Sequence, residues 1–225
     1  MMTKHKPYTI AFFANNFHSE YCHIMYSGIK NAVSELGISL ITVGGGDLDN
    51  PQYNNARRNR VFDLVNTVDF DGIIFQSGSL LNYTSEQNFL KFCSQFDAIP
   101  AVHVGFKKDG FSSVVVDNKS GMRELVDHFI EVHNRKDIAF IRGPESCTDA
   151  NERFLAYKES LDAHNIPFRE DLVYTGTFLP DSGPKAISEF IDVKKITFDA
   201  VIGANDQMAL FAMRDLIRRG IRVSI

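Results

Sequence analysis

The sequence predicts an α/β protein of two lobes, each a parallel sheet with helices on both faces. Short apolar runs alternate with longer segments of helical period along the chain, the mark of repeated βα units. Runs such as Ile73-Ile74-Phe75 are flanked by turn residues, as buried strands are. The alternation restarts after Ser113 to Val116, a Val-rich run where the chain is expected to cross between lobes, dividing residues 1–116 from 117–225.

Tyr8 to Ala14 is the first strand. Tyr21, Met25, Ile29, Val33 and Leu36 recur at three- and four-residue spacing and make an amphipathic helix that Gly37 stops. The strand Ile38 to Val43 follows, then a polar helix from about Gln52 to Thr67 and the strand Asp71 to Phe75. A helix over Ser85 to Phe96 and a strand over Pro100 to Val104 precede the crossing run. The second lobe reads as helix Gly121 to His133, strand Ile138 to Ile141, helix Asp149 to His164 and strand Leu172 to Thr175. Helix Ser182 to Ile191, strand Ala200 to Gly203 and helix Asp206 to Arg219 complete it. Gly220 caps the last helix, and Ile221 to Ile225 reads as the approach to another strand, so this lobe is expected to be incomplete.

With 225 residues, 44% hydrophobic and 23% charged, the chain can bury a sizeable core. Its first apolar run, Ile10 to Ala14, is too short for a secretion signal or a membrane span, so a cytoplasmic location and no membrane partner are expected. Cys22, Cys93 and Cys147 offer neither an even disulfide framework nor a paired zinc spacing. The seven histidines lack ligand spacing, so neither a metal nor a cofactor is expected. A net charge of −4 with scattered Lys and Arg argues against direct contact with nucleic acid. Gly44-Gly45-Gly46-Asp47 follows the second strand, whereas a phosphate fingerprint needs its glycines after the first, where Asn15 to Glu20 stands. A flexible turn at a cleft edge is the expected role of those glycines. Ligands of open parallel sheets sit at the carboxyl ends of the strands, which directs attention to the loops beginning at Asn15, Gly44, Gln76, Gly105, Arg142, Gly176 and Ala204.

The segment Ala204-Asn205-Asp206-Gln207-Met208-Ala209-Leu210, continuing to Ala212-Met213-Arg214, resembles the helix-opening motif of the lactose-repressor and ribose-binding-protein superfamily. Thr9 to Gly37, Asp71-Gly72-Ile73-Ile74, Val116-Asp117-Asn118, Ile138 to Gly143, Arg153 and Gly176-Thr177-Phe178 stand in that family's order. The resemblance covers the chain from Tyr8 onward and implies a two-lobed, type I periplasmic-binding-protein-like fold that closes on a small polar ligand: a sugar, nucleoside or purine.

Carried over by position, the resemblance implies that Arg153 offers a planar fork of donors to paired hydroxyls or a carboxylate. Asn205 offers one acceptor and two donors, and Phe178 an apolar face for a ring. Gln76 follows the third strand, Asp149 precedes Arg153 by one helical turn, and Ser19 and Tyr21 line the first loop. Each has a plainer alternative. Asn205 suits a helix N-cap, Arg153 suits a surface ion pair with Glu152 or Asp149, and Phe178, one of 19 phenylalanines, suits the core.

The family's repressors begin with a helix-turn-helix, whereas this chain reaches its first strand at Tyr8, so its residues are not expected to read an operator. The reading this favours is a sugar-like sensor of a larger signalling protein, fused to a C-terminal diguanylate cyclase of the GGDEF type or to a kinase. The alternative is the effector-binding core of a lactose-repressor-type transcriptional regulator. A small α/β enzyme is a third reading, but no loop supplies a nucleophile with its base, and no catalytic residue is assigned. A homodimer of the parent protein, paired through the helix from Tyr21 to Leu36, is expected.

Overall fold

The structure, a computed structural model, describes residues 8–17, 19–51 and 54–224. It divides into two compact units, Met1–Val116 and Asp117–Ile225. Each unit is built on its own parallel sheet.

In the first unit β1 (Thr9–Ala14), β2 (Ser39–Gly44), β3 (Gly72–Phe75), β4 (Ala101–Val104) and β5 (Ser112–Val114) stand in the order β2-β1-β3-β4-β5, all parallel. β1 is apolar from Ile10 and buried from Ala11 onward, because both its faces are covered there, and its alternate side chains enter different cores. Ala11 and Phe13 join Phe62, Ile73, Phe75, Phe89 and Phe96. Phe12 and Ala14 join Cys22, with Met25 and Ile29 of α1 (Glu20–Glu35) packed against them. Aromatic rings fill the larger core: Phe13 stacks on Phe62 at 5.3 Å and meets Phe75 and Phe96 edge-on at 5.1 and 5.2 Å.

Helix α1 begins where Ser19 Oγ accepts from the Cys22 amide at 3.2 Å and ends at Gly37, whose φ of +65° suits a residue without Cβ. The helix expected from about Gln52 to Thr67 departs from that reading. Gln52 and Tyr53 lie outside the described residues, α2 spans Asn55–Asn59, and the chain then tightens into a 3₁₀ turn over Arg60–Thr67. A 3₁₀ turn aligns residues i and i+3, which lets Phe62 and Val65 enter the core together. A short α3 (Ser77–Leu80), unforeseen in the sequence, follows β3 directly, and α4 (Glu86–Cys93) completes the unit.

The second unit contains α5 (Asn118–Glu131), β6 (Ile138–Arg142), α6 (Thr148–Ala163), β7 (Val173–Thr175), α7 (Ser182–Ser188), β8 (Ala200–Gly203) and α8 (Asp206–Arg218). Its strands stand in the order β7-β6-β8. The central strand β6 buries Ile138, Ala139, Phe140 and Ile141 against Tyr157, Phe190 and Met208. Glycine at 183 permits close packing: a Cβ there would lie 2.5 Å from the Met208 carbonyl and the Ala212 amide nitrogen of α8. Residues 221–224 form no strand, and Ile225 lies outside the described residues. No helix among the described residues is long and apolar enough to cross a membrane.

In both sheets the strand order reverses beside the first strand, β1 in one unit and β6 in the other. Successive crossovers part there and leave a crevice at the carboxyl ends, between the loops after β1 and β3 and between those after β6 and β8.

Candidate ligand-binding site

Around the β6–β8 crevice of the second unit, one hydrogen-bonded network links three elements. Arg153, near the start of α6, donates from Nε to Asn118 Oδ1 at 2.8 Å and from Nη1 to the Ala204 carbonyl at 2.6 Å. Asn118, the first residue of α5, is almost completely buried. Its Nδ2 donates to Asp149 Oδ1 at 2.9 Å and to Glu152 Oε2 at 3.0 Å. The buried amide thus stands between Arg153 and two carboxylates, a mediated contact in place of the ion pair considered from the sequence. Burial raises the Asp149 pKa, Arg153 and Asn118 oppose that rise, and Glu152 adds to it.

Asn205 follows Ala204 immediately. Its Oδ1 caps α8 by accepting from the Met208 amide at 3.0 Å, and its Nδ2 donates to the Phe178 carbonyl at 3.0 Å. The capping role weighed for it is therefore present. Phe178 adopts φ +65°, uncommon for a residue with a side chain. Its ring lies over Gly143, where a Cβ would come within 2.3 Å of it, and it packs partly on the unit's core. Glycine at 143 is what makes room for the ring.

The corresponding crevice of the first unit, between β1 and β3, is organised by Asp47. Asn15 Nδ2 donates to its Oδ1 at 2.7 Å, and Asn50 Nδ2 to its Oδ2 at 3.1 Å. Asn59 braces the loop, accepting from the Gly46 amide at 2.7 Å and donating to the Asp47 carbonyl at 3.2 Å. The glycine run is consequently pinned rather than a flexible turn. Its glycines answer to close packing: a Cβ at Gly44 would lie 2.6 Å from the Phe17 ring, and one at Gly45 would lie 2.4 Å from the Phe62 ring.

Of the first-unit candidates, Ser19 is exposed and caps α1, while Tyr21 is half exposed at the start of that helix. Gln76 is 1% exposed, and neither Nε2 nor Oε1 finds a hydrogen-bond partner among the described residues. Burial pushes the nearby Cys22 thiol up to about 11, with Gln76 opposing the rise. Cys93 and Cys147 are also buried, and their thiols are raised for the same reason. Among the described residues no group of three or more His, Cys, Asp or Glu side chains could hold a metal.

The structure thus brings Arg153, Asp149, Asn205 and Phe178 to one crevice in the second unit, and places Ser19, Tyr21 and Gln76 in the first. Sequence reasoning passed over Asn118, Glu152, Asn15 and Asp47 as site residues. The pair Asp117-Asn118 carried a usable signal. Asp117 caps α5 through the Ser120 amide at 3.0 Å, which leaves Asn118 to open the helix beside the crevice.

Comparison with known proteins bears on the family of the chain. The family described as "Periplasmic binding proteins and sugar binding domain of LacI family" matches residues 8–225. The probable HTH-type transcriptional repressor ExuR of Bacillus subtilis (strain 168) is 27% identical over 224 residues, 97% of this chain and 62% of that protein. The HTH-type transcriptional regulator CelR of Thermobifida fusca is 38% identical over 120 residues, 53% of this chain and 35% of that protein. The solved structure of a transcriptional regulator CelR–cellobiose complex matches with a TM-score of 0.79 at 27% identity, over 96% of this chain and 64% of that one. The Lac repressor bound to ONPG in its repressed state has a TM-score of 0.80 at 20% identity, over 98% of this chain and 63% of that one, a likeness of fold. The chain therefore spans less than two thirds of ExuR and CelR, a probable transcriptional repressor and a transcriptional regulator. Its fold is that of the type I periplasmic-binding-protein-like group, and the chain belongs to the family of periplasmic binding proteins and LacI-family sugar-binding domains.

Proposed function

We propose that this chain is the effector-binding core of a LacI-type transcriptional regulator, and that its effector is a small sugar-like molecule bound at the β6–β8 crevice. The observation that carries this reading is the meeting of Arg153 and Asn205 at Ala204, in a chain whose family match runs from residue 8 to 225. A sugar presents many hydroxyls and little charge, so fixed donors and acceptors beside an apolar ring are what it requires. Arg153 and Asn205 supply the polar groups and Phe178 the ring, with Asp149 as an acceptor. Ser19, Tyr21 and Gln76 are proposed as further ligand contacts on the strength of the family resemblance.

The relatives favour transcriptional control over the cyclase or kinase output expected from the sequence, because those named are regulators of transcription. A homodimer of the full-length protein is part of the proposal, formed through α1, where Ile24 is 65% exposed. The test is a thermal-shift screen of the full-length protein against pentoses, hexoses, cellobiose, nucleosides and purines, followed by calorimetry. A sugar that raises Tm in wild type and fails to bind Arg153→Ala supports the reading. Turnover of any such compound, or tight binding that Arg153→Ala leaves unchanged, overturns it.

A further inference from the structure

The network around Asn118 leaves a particular set of polar groups unused. Asn118 Nδ2 gives one hydrogen to Asp149 and one to Glu152, and its Oδ1 takes the Arg153 Nε–H. Arg153 Nη1 is held by the Ala204 carbonyl. What remains among the described residues is Nη2 of Arg153 as a donor, with Asp149 Oδ2 and Glu152 Oε1 as acceptors. Acceptors on two carboxylates outnumber the one cationic donor, so the local formal charge is one negative.

We infer that Asp149 and Glu152 select the charge of the effector: it carries hydroxyls and no anionic group, and an amine beside those hydroxyls strengthens its binding. This rests on the sugar reading above and names the class of sugar. Two carboxylates fixed on one amide nitrogen, each about 3 Å from it, accept from hydroxyl or ammonium hydrogens without rearranging. An acid group on the ligand brings a third negative charge beside them. Arg153 is partly occupied by neutral partners, so it is poorly placed to neutralise that charge bidentately. The groups are partly buried, where screening by water is reduced and a like charge a few ångströms away weakens binding by about tenfold or more.

The experiment is calorimetric titration of the full-length protein with hexoses of gluco, galacto and manno configuration, their 2-amino sugars and their uronic acids, with glucose 6-phosphate added. For the configuration that binds, the neutral sugar should bind at least tenfold more tightly than its uronic acid, and the amino sugar more tightly still. Raising the salt should narrow the gap. Asp149→Asn with Glu152→Gln keeps the acceptor oxygens that hold Asn118 while removing both charges. This variant should bring neutral sugar and uronic acid within about threefold, with cooperative thermal unfolding confirming that it folds. A uronic acid or sugar phosphate that matches or exceeds the neutral sugar overturns the charge selection and leaves the sugar reading standing. Failure of every sugar tested overturns the sugar reading itself, and the charge selection falls with it.

Discussion

Arg153→Ala should destabilise the second unit as well as weaken effector binding. The guanidinium makes two charge-assisted hydrogen bonds, to Asn118 Oδ1 at 2.8 Å and to the Ala204 carbonyl at 2.6 Å. Its partners Asn118 and Ala204 are 5% and 3% exposed, so truncation leaves the buried Ala204 carbonyl without its donor and removes one bond from the buried Asn118 amide. A bond to a charged donor contributes about 1.5–3 kcal/mol, and a partly exposed Arg153 recovers some of that in water, so the net loss is about 2–4 kcal/mol. For a chain of this size that lowers Tm by about 4–16 °C. The assay is thermal unfolding of wild type, Arg153→Ala and Arg153→Lys without effector. Lysine keeps the charge but cannot reach two divergent acceptors at once, so it should recover less than half of the loss. Binding is read separately by calorimetry, where the alanine variant should lose about 30- to 1,000-fold in affinity. An unliganded Tm within about 2 °C of wild type would refute the structural half of this reasoning, whatever happens to binding.

Asp149→Asn keeps the Oδ1 acceptor for Asn118 and removes a carboxylate whose pKa burial raises above 3.8. A raised acid pKa means that the charged form costs stability above the folded pKa and that this cost fades as pH falls through it toward 3.8. The variant should therefore be more stable than wild type at neutral pH in urea unfolding, with a gain that shrinks on acidification; destabilisation at neutral pH would contradict the sign. His103 works the other way. It is buried, stacks on Phe75 and Phe111 at 5.2 and 4.6 Å, and meets Ser77 Oγ at 2.9 Å. Burial lowers its pKa below 6.5, so its contribution is complete above that value and is lost as pH falls below it toward the folded pKa. His103→Gln should flatten the stability curve over that window, and an unchanged acid slope would count against it. Gly45→Ala meets the Phe62 ring and should cost about 1–3 kcal/mol. Gly28→Ala, in α1 with nothing within 4 Å, should gain about 0.5–1 kcal/mol, and equal effects at the two sites would undo the packing argument.

Local pattern determined most of the fold. The apolar runs and helical stripes placed β8 at Ala200–Gly203 and α8 at Asp206–Arg218, because the period of burial is written along a single segment. Asn205 was legible in a motif of consecutive residues, Ala204 to Arg214, whereas Arg153 came only from the family resemblance. Local pattern failed where geometry depends on distant partners. The 3₁₀ turn over Arg60–Thr67 answers to a core assembled from β1, β2, β3, α3 and α4, and the pinning of the glycine run depends on Phe62, Asn59 and Asn15. Asn118 is the clearest case. Its bonds to Asp149, Glu152 and Arg153 span 31, 34 and 35 residues, and only the docking of α5 against α6 makes them neighbours. Periodicity states which face of an element is buried but not which element will cover it. Strand order and helix docking decided which polar side chains share the β6–β8 crevice.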